Sequence, residues 1–110
     1  EGLPFAIIEA LRLRSLEREY LNTHINKALT NYDQAGCPHA FVVVYAQVND
    51  FANFWNKLLE HVKNYQFPYP VDDILSELVV EQTEVRVAKM KLSRSEKPVD
   101  FRIYAIHLPN

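Results

Sequence analysis

Residues 51–65 limit the possible folds of this chain more than any other part of the sequence. Apolar side chains recur there at intervals of three and four, with polar positions between them; the apolar set is Phe51, Phe54, Trp55, Leu58, Leu59, Val62 and Tyr65. This spacing places an apolar stripe along one side of an α-helix. Asn49 or Asp50, immediately before it, is a favourable N-cap. The segment is therefore predicted to be a helix that packs on a sheet, with Trp55 deeply buried.

A long helix is also predicted near the start of the chain. Residues 5–32 contain no proline or glycine, and apolar or aromatic positions step by three and four: Leu13, Leu16, Tyr20, Leu21, His24, Ile25, Ala28, Leu29 and Tyr32. An unbroken helix of this length would span about 40 Å at 1.5 Å per residue, which exceeds the width of a domain of this size. We therefore expect a break near residues 13–15, or one end that projects and binds a partner.

The remaining apolar segments predict three strands. AFVVVYAQV, residues 40–48, is β-branched and aromatic without alternation, which is typical of a central strand covered on both faces. LVVEQTEVRVAKMKL, residues 78–92, is predicted as one long strand or two short ones, with a β-bulge at residues 87–88 where the alternation slips. SRSEKP, residues 93–98, is a polar turn that joins this strand to VDFRIYAIHL as a hairpin. The predicted fold is an α+β two-layer sandwich of helices on a small three-stranded sheet, in the order α-β-α-β-β.

Composition fits one intracellular domain. The 110 residues are 48% apolar and 24% charged, which suits a single globular core over residues 1–110. Twelve basic and fourteen acidic residues give a net charge of -2, so contact with nucleic acid or an anionic membrane would have to be local. Residues 40–46 form the longest apolar run and are too few to span a bilayer. One cysteine, Cys37, favours a reducing, cytoplasmic location. A chain that begins at Glu1 rather than methionine suggests a domain excised from a longer protein.

The sequence predicts no catalytic residue, cofactor or metal. With two glycines in the chain, no glycine-rich phosphate loop is present. Cys37 and His39 are two residues apart, but a four-ligand zinc site would need further histidines from separate elements. We therefore predict that the domain is not an enzyme and has no small-molecule substrate.

A metal-dependent nuclease is the weakest alternative considered. Such enzymes place an aspartate on one strand and an acid-x-lysine motif on the next, so that two carboxylates hold Mg²⁺. The nearest pattern here is PVDD, ending at Asp73, followed by Glu84 and Arg86. Arginine does not release a proton near neutral pH, so the pattern lacks a working lysine.

An aromatic segment supplies the main predicted binding surface. Tyr65, Phe67 and Tyr69 alternate with other residues in a proline-containing stretch that must be extended. Their rings either fold back over the sheet or anchor a partner with few rotamers to freeze. The leading interpretation is a non-catalytic protein interaction or regulatory module of a larger intracellular protein, which self-associates through the long first helix.

A basic hairpin supplies the alternative function. Arg86, Lys89, Lys91 and Arg102 lie on the last two predicted strands. The predicted bulge would bring Arg86 to the same face as the two lysines, giving about four phosphate contacts to nucleic acid. Lysines on an exposed strand also simply block edge-to-edge pairing.

Overall fold

The computed structural model describes residues 6–31 and 37–109. Within them lie strands β1 (Ala6–Leu13), β2 (His39–Ala46), β3 (Val71–Leu78), β4 (Val85–Arg94) and β5 (Lys97–His107) and helices α1 (Arg18–Asn26) and α2 (Phe51–Lys63). A π-helical turn, Lys27–Asn31, continues α1. The strands form one mixed sheet in the order β1-β2-β5-β4-β3. β1, β2 and β5 run parallel, whereas β4 is antiparallel to both of its neighbours.

The predicted three-stranded sheet and the order α-β-α-β-β are wrong, because the sheet has five strands and the described chain begins with one. β1 pairs with β2 over eight residues, from Ala6 opposite His39 to Leu13 opposite Ala46. Leu11 and Leu13 are buried, whereas Ile8 is 61% exposed, so the segment alternates with a period of two. The apolar positions of this segment also fit a helical stripe. Its parallel pairing with β2 shows that it is a strand and not a helix. The chain leaves β1 within the region where a break was expected.

Strand β3 was also missed, because half of its sequence VDDILSEL is polar and its apolar residues do not alternate. Leu75 is its one buried residue in the structure. The strand lies at the sheet edge, and its pairing with β4 shifts register between Val71 and Asp73 and again between Asp73 and Ser76. Acidic side chains and irregular pairing protect a sheet edge from joining another chain, so an edge strand needs little apolar pattern.

The predicted second helix is confirmed. The Asn53 amide donates to Asp50 Oδ1 at 3.0 Å, so Asp50 is the N-cap of α2. The apolar stripe is buried at Phe51, Phe54, Trp55, Leu58 and Val62. Trp55 is 2% exposed, and its indole Nε1 donates to Glu77 Oε2 on β3 at 2.9 Å. This bond and the apolar stripe fix α2 against the sheet.

Strand β2 is covered by helices on one face, not on both as predicted. Its residues Ala40, Val42, Val44 and Ala46 belong to one core with the buried positions of both helices. Its alternate residues, including Tyr45, stay partly or fully accessible. The centre of the sheet is β5, which lies between β2 and β4. The apolar sequence of residues 40–46 therefore gives β2 an apolar outer face rather than indicating a second covering layer.

The hairpin at residues 93–98 is confirmed, and the predicted bulge is wrong. Ser95 and Glu96 form a two-residue turn with φ of 51° and 66°, the left-handed conformation that suits the twist of a tight hairpin. Pairing of β4 with β5 runs without a shift from Val85 opposite Ile106 to Arg94 opposite Lys97. Side chains of β4 therefore alternate strictly between the two faces.

Candidate binding surface on the open face of the sheet

The sheet has one face that carries both described helices and one that carries neither. We call the second the open face. Strand pairing places four rows of side chains across it. Apolar and aromatic side chains from these rows form what we call the apolar zone: Ile8, Phe41, Val43, Tyr45, Val85, Tyr104 and Ile106. Val87 lies on the same face but is buried, and the exposed Arg12 lies opposite Tyr45. Ile8 is 61% and Tyr45 is 36% exposed. A continuous apolar surface thus lies on the outer face of β2, which was predicted to be covered.

The other end of the open face carries charges, which we call the charged zone: His39, Asp73, Lys89, Lys91, Asp100 and Arg102. Asp100 lies between His39 and Arg102, with Oδ2 3.6 Å from His39 Nδ1 and Oδ1 3.6 Å from Arg102 Nε. Lys91 is opposite Asp73 on one side and Asp100 on the other. A groove of about 210 Å³ between β3, β4 and β5 is lined by Lys89, Lys91 and Arg102. Three of the four predicted basic residues are therefore adjacent.

Arg86 is separated from the other three basic residues. Because β4 has no bulge against β5, Arg86 has the opposite parity to Lys89 and Lys91 and lies on the helix side of the sheet. Its guanidinium lies 5.6 Å from the ring centroid of Phe51 on α2. The same group donates to the Thr83 carbonyl at 2.9 Å. Arg86 thus stabilises the packing of α2 rather than extending the charged zone.

Arg102 keeps its charge through its neighbours on β5. A hydrogen bond with Tyr104 raises the pKa of the guanidinium, partial burial acts in the opposite direction, and the Asp100 carboxylate raises the pKa further. The net shift is upward, so Arg102 is a permanent cation at the border between the charged and apolar zones.

The predicted binding segment is packed against the core. Phe67 makes an edge contact with Phe101 at 5.7 Å and another with Tyr65 at 4.9 Å. The Tyr69 hydroxyl donates to the Leu29 carbonyl at 3.1 Å, and burial raises the pKa of the Tyr65 phenol. All three rings are half-buried. They close the helix side of the core, and Tyr65 and Phe67 also line a groove of about 380 Å³, so partner binding by this segment stays a prediction.

The first-helix stripe is also used within the domain. Leu21, Ile25, Ala28 and Leu29 are buried in the main core. Tyr32 lies outside the described residues. Since residues 6–13 form β1, the long helix through which self-association was predicted does not exist.

Two polar pairs on the helix side were not found from the sequence. Glu9 on β1 and His24 on α1 approach to 2.7 Å between Oε1 and Nδ1, and both are largely buried. His61 Nε2 on α2 lies 2.7 Å from Asn22 Oδ1 on α1. The partners in these pairs are 15 and 39 positions apart along the chain. To predict the pairs, one would need to know the topology β1-α1-β2-α2, because no local sequence pattern indicates them. Both pairs tie α1 to its neighbours.

Stability is expected to fall with acidification through His61. Burial, and secondly the charge of Arg18, lowers the pKa of His61 from its ordinary value of 6.5. The unfolded chain therefore binds the proton more readily than the folded chain. The associated stability is full above pH 6.5 and is lost as the pH falls below that value toward the folded-state pKa. Titration of the His61 ring by NMR should give a midpoint below 6.5.

Arg18→Gln is the matched control for this effect, since it removes the nearby charge and leaves the burial of His61. The midpoint of His61 should rise toward the ordinary value in that variant. A midpoint at or above 6.5 in the parent would contradict the prediction.

The residues considered for metal chemistry do not converge. Asp73 is opposite Lys91 on β4, and Glu84 precedes Lys91 by seven positions, which corresponds to about 23 Å along a strand. Two carboxylates so far apart do not share one ion. The Cys37 thiol donates to the His39 carbonyl at 3.4 Å, within the loop that leads into β2. Across residues 6–31 and 37–109, no three His, Cys, Asp or Glu side chains come together to hold a metal ion.

Comparison with known proteins gives no assignment: no family model, curated protein or solved structure matches this chain. None of the helices in the described part of the chain combines the length and hydropathy that a bilayer crossing requires. The function therefore has to be argued from the open face itself.

Proposed function

We propose that this chain is a non-catalytic protein interaction module of a cytoplasmic protein, and that it binds through the open face of its sheet. The observation that supports this proposal is the apolar zone on the outer side of β2 and β5, with Ile8 of β1 at its edge. The one cysteine in the sequence, Cys37, has no second cysteine with which to form an intrachain disulfide and is buried, which suits the reducing compartment included in the proposal.

Parallel strands provide the physical reason for a covering partner. All-parallel sheets are covered on both faces, because their crossover helices lie on both sides, and β1, β2 and β5 are the parallel part of this mixed sheet. Here the two crossover helices share one side, and the opposite side still has Phe41, Val43 and Tyr104 in neighbouring positions. A contiguous apolar patch on a folded domain marks an interaction site. Covering this patch removes apolar surface from water, which favours association.

A second copy of the chain is the partner that we propose. Five strands of about eight residues present a face of about 600 Å², so two such faces bury about 1,200 Å² of surface in total. This area is at the lower end of the range for stable protein interfaces, which begins at about 1,200 Å². The face carries both Lys91 and Asp73 at its charged end. Both signs of charge therefore meet when two copies stack, and sheets pack face to face in this way in many folds.

The test is the oligomeric state, measured by sedimentation equilibrium over a wide concentration range. Ile8→Glu places a carboxylate in the proposed interface and should weaken the dimer by about tenfold or more, or about 1.4 kcal/mol per factor of ten. Val79→Glu is the matched control, because Val79 is also apolar and 99% exposed but lies in the turn before β4. Its dimer affinity should match the parent.

Two outcomes would overturn self-association through the open face. The parent sediments as a monomer at every concentration, or Val79→Glu weakens the dimer as much as Ile8→Glu does. Circular dichroism of both variants establishes that each has kept the fold.

A further inference from the structure

We propose that the charged zone, with the rings of Phe41 and Tyr104 beside it, binds single-stranded nucleic acid. Lys89, Lys91 and Arg102 contact the phosphates, and the rings contact the bases. The inference does not rest on self-association. Both interactions use the open face, so an oligonucleotide and a second copy of the chain compete for it.

The first argument is the placement of two cations opposite each other. Lys89 on β4 is the direct cross-strand partner of Arg102 on β5, and like charges in opposite positions destabilise a sheet. The strand partner of Lys89 on its other side is Ser76. In the described part of the chain no ion pair joins Lys89 to a carboxylate, whereas Arg102 has Asp100 nearby. An anion between Lys89 and Arg102 would relieve this repulsion.

The second argument is the sharing of one face by all three cations. Lys89 and Lys91 have the same parity on β4, so both project to the open face without any bulge. With Arg102 they line the groove of about 210 Å³, whose wall also includes Ser76 and the carboxylates of Asp73 and Asp100, so the three cations outnumber the two anions there. Phosphate groups along a nucleic-acid strand are contacted by lysine, arginine and serine side chains in this manner. The proposal therefore includes three phosphate contacts, where the sequence predicted about four.

The third argument is the pair of aromatic rings next to the cations. Phe41 is the cross-strand partner of Arg102, and Tyr104 is two residues beyond Arg102 on the same face. The two rings are in edge contact, with centroids 6.0 Å apart. Aromatic side chains on an open sheet stack with unpaired bases, whereas a duplex keeps its bases inside. The combination favours a single strand over a duplex.

The experiment is fluorescence anisotropy with a labelled single-stranded oligonucleotide and its duplex, at protein concentrations where the parent is monomeric. Three phosphate contacts predict a slope of log affinity against log salt of about -2 for a single strand. The double variant Lys89→Glu, Lys91→Glu should lose about tenfold or more in affinity. Lys57→Glu, Lys63→Glu is the matched control, since it makes the same change in net charge on the exposed side of α2.

Each outcome decides the proposal. Single-strand binding that falls in the charged-zone variant and persists in the α2 variant supports it, and the use of monomeric protein separates it from self-association. The proposal is overturned if the parent binds no oligonucleotide at low salt. It is also overturned if both double variants lose affinity equally, or if the duplex binds as tightly as the single strand.

Discussion

Replacing Trp55 with alanine is expected to lower the free energy of unfolding by about 3 to 5 kcal/mol. The side chain is 2% exposed in the middle of the apolar stripe of α2, so truncation leaves a large cavity between the helix and the sheet. The change also removes the indole donor to Glu77 Oε2, and water hydrates the exposed Glu77 carboxylate in its place. Urea denaturation followed by circular dichroism gives the comparison, since the variant has no tryptophan to report by fluorescence.

Trp55→Phe separates the two contributions. It retains most of the ring volume and removes the hydrogen bond to an exposed carboxylate, so its cost should be about 0.5 to 1.5 kcal/mol, the typical net contribution of one hydrogen bond. A loss below about 1 kcal/mol for the alanine variant would contradict the burial of Trp55, because large-to-small core substitutions cost more than that.

The elements that the sequence predicts correctly are those with one dominant local signal. Helix α2 has an unbroken apolar stripe and a capping residue at Asp50, and both signals agree. The turn at Ser95 and Glu96 lies in a short polar segment between two apolar segments. In these segments the local pattern and the tertiary environment favour the same structure.

The missed strands are those in which tertiary pairing overrides the local pattern. Leu11 and Leu13 of β1 suit either a strand or a helix, and the neighbouring alanine, glutamate and arginine favour a helix. Their strand conformation depends on a partner 33 positions along the chain, as Leu13 pairs with Ala46. Strand β3 has acidic side chains because it is an edge, so it lacks the apolar pattern that identifies interior strands.

The same contrast between local pattern and tertiary pairing explains which parts of the open face could be predicted from the sequence. Lys89 and Lys91 share a face from parity alone, and the hairpin turn brings Arg102 beside them. Arg86 was misplaced by a bulge that was inferred because Val87 and Ala88 are both apolar. Both are buried in the structure, on opposite faces of an unbroken strand. The apolar zone itself depends on both helices lying on one side, which no local pattern shows.

Replacing Phe101 with alanine is the second change with a large expected effect, at about 3 to 5 kcal/mol of unfolding free energy. Phe101 is fully buried on β5, the central strand, and belongs to the main core. Phe101→Leu is the control, because it keeps most of the apolar volume and should cost less than half as much. Denaturant unfolding of both variants gives the comparison.

A double-mutant cycle between Phe101 and Phe67 then tests whether the aromatic segment closes the core. The two rings are in edge contact at 5.7 Å, and such pairs contribute about 0.5 to 1.5 kcal/mol beyond the area that they bury. Phe67→Ala alone should therefore destabilise the domain, and the Phe67→Ala, Phe101→Ala variant should lose less than the sum of the two single losses by about that amount. Additive losses, or a Phe67→Ala variant as stable as the parent, would show that the ring of Phe67 is free of the core. In that case the segment with Tyr65 and Tyr69 would again be the better candidate for partner binding, because its rings would be available to a partner without loss of stability.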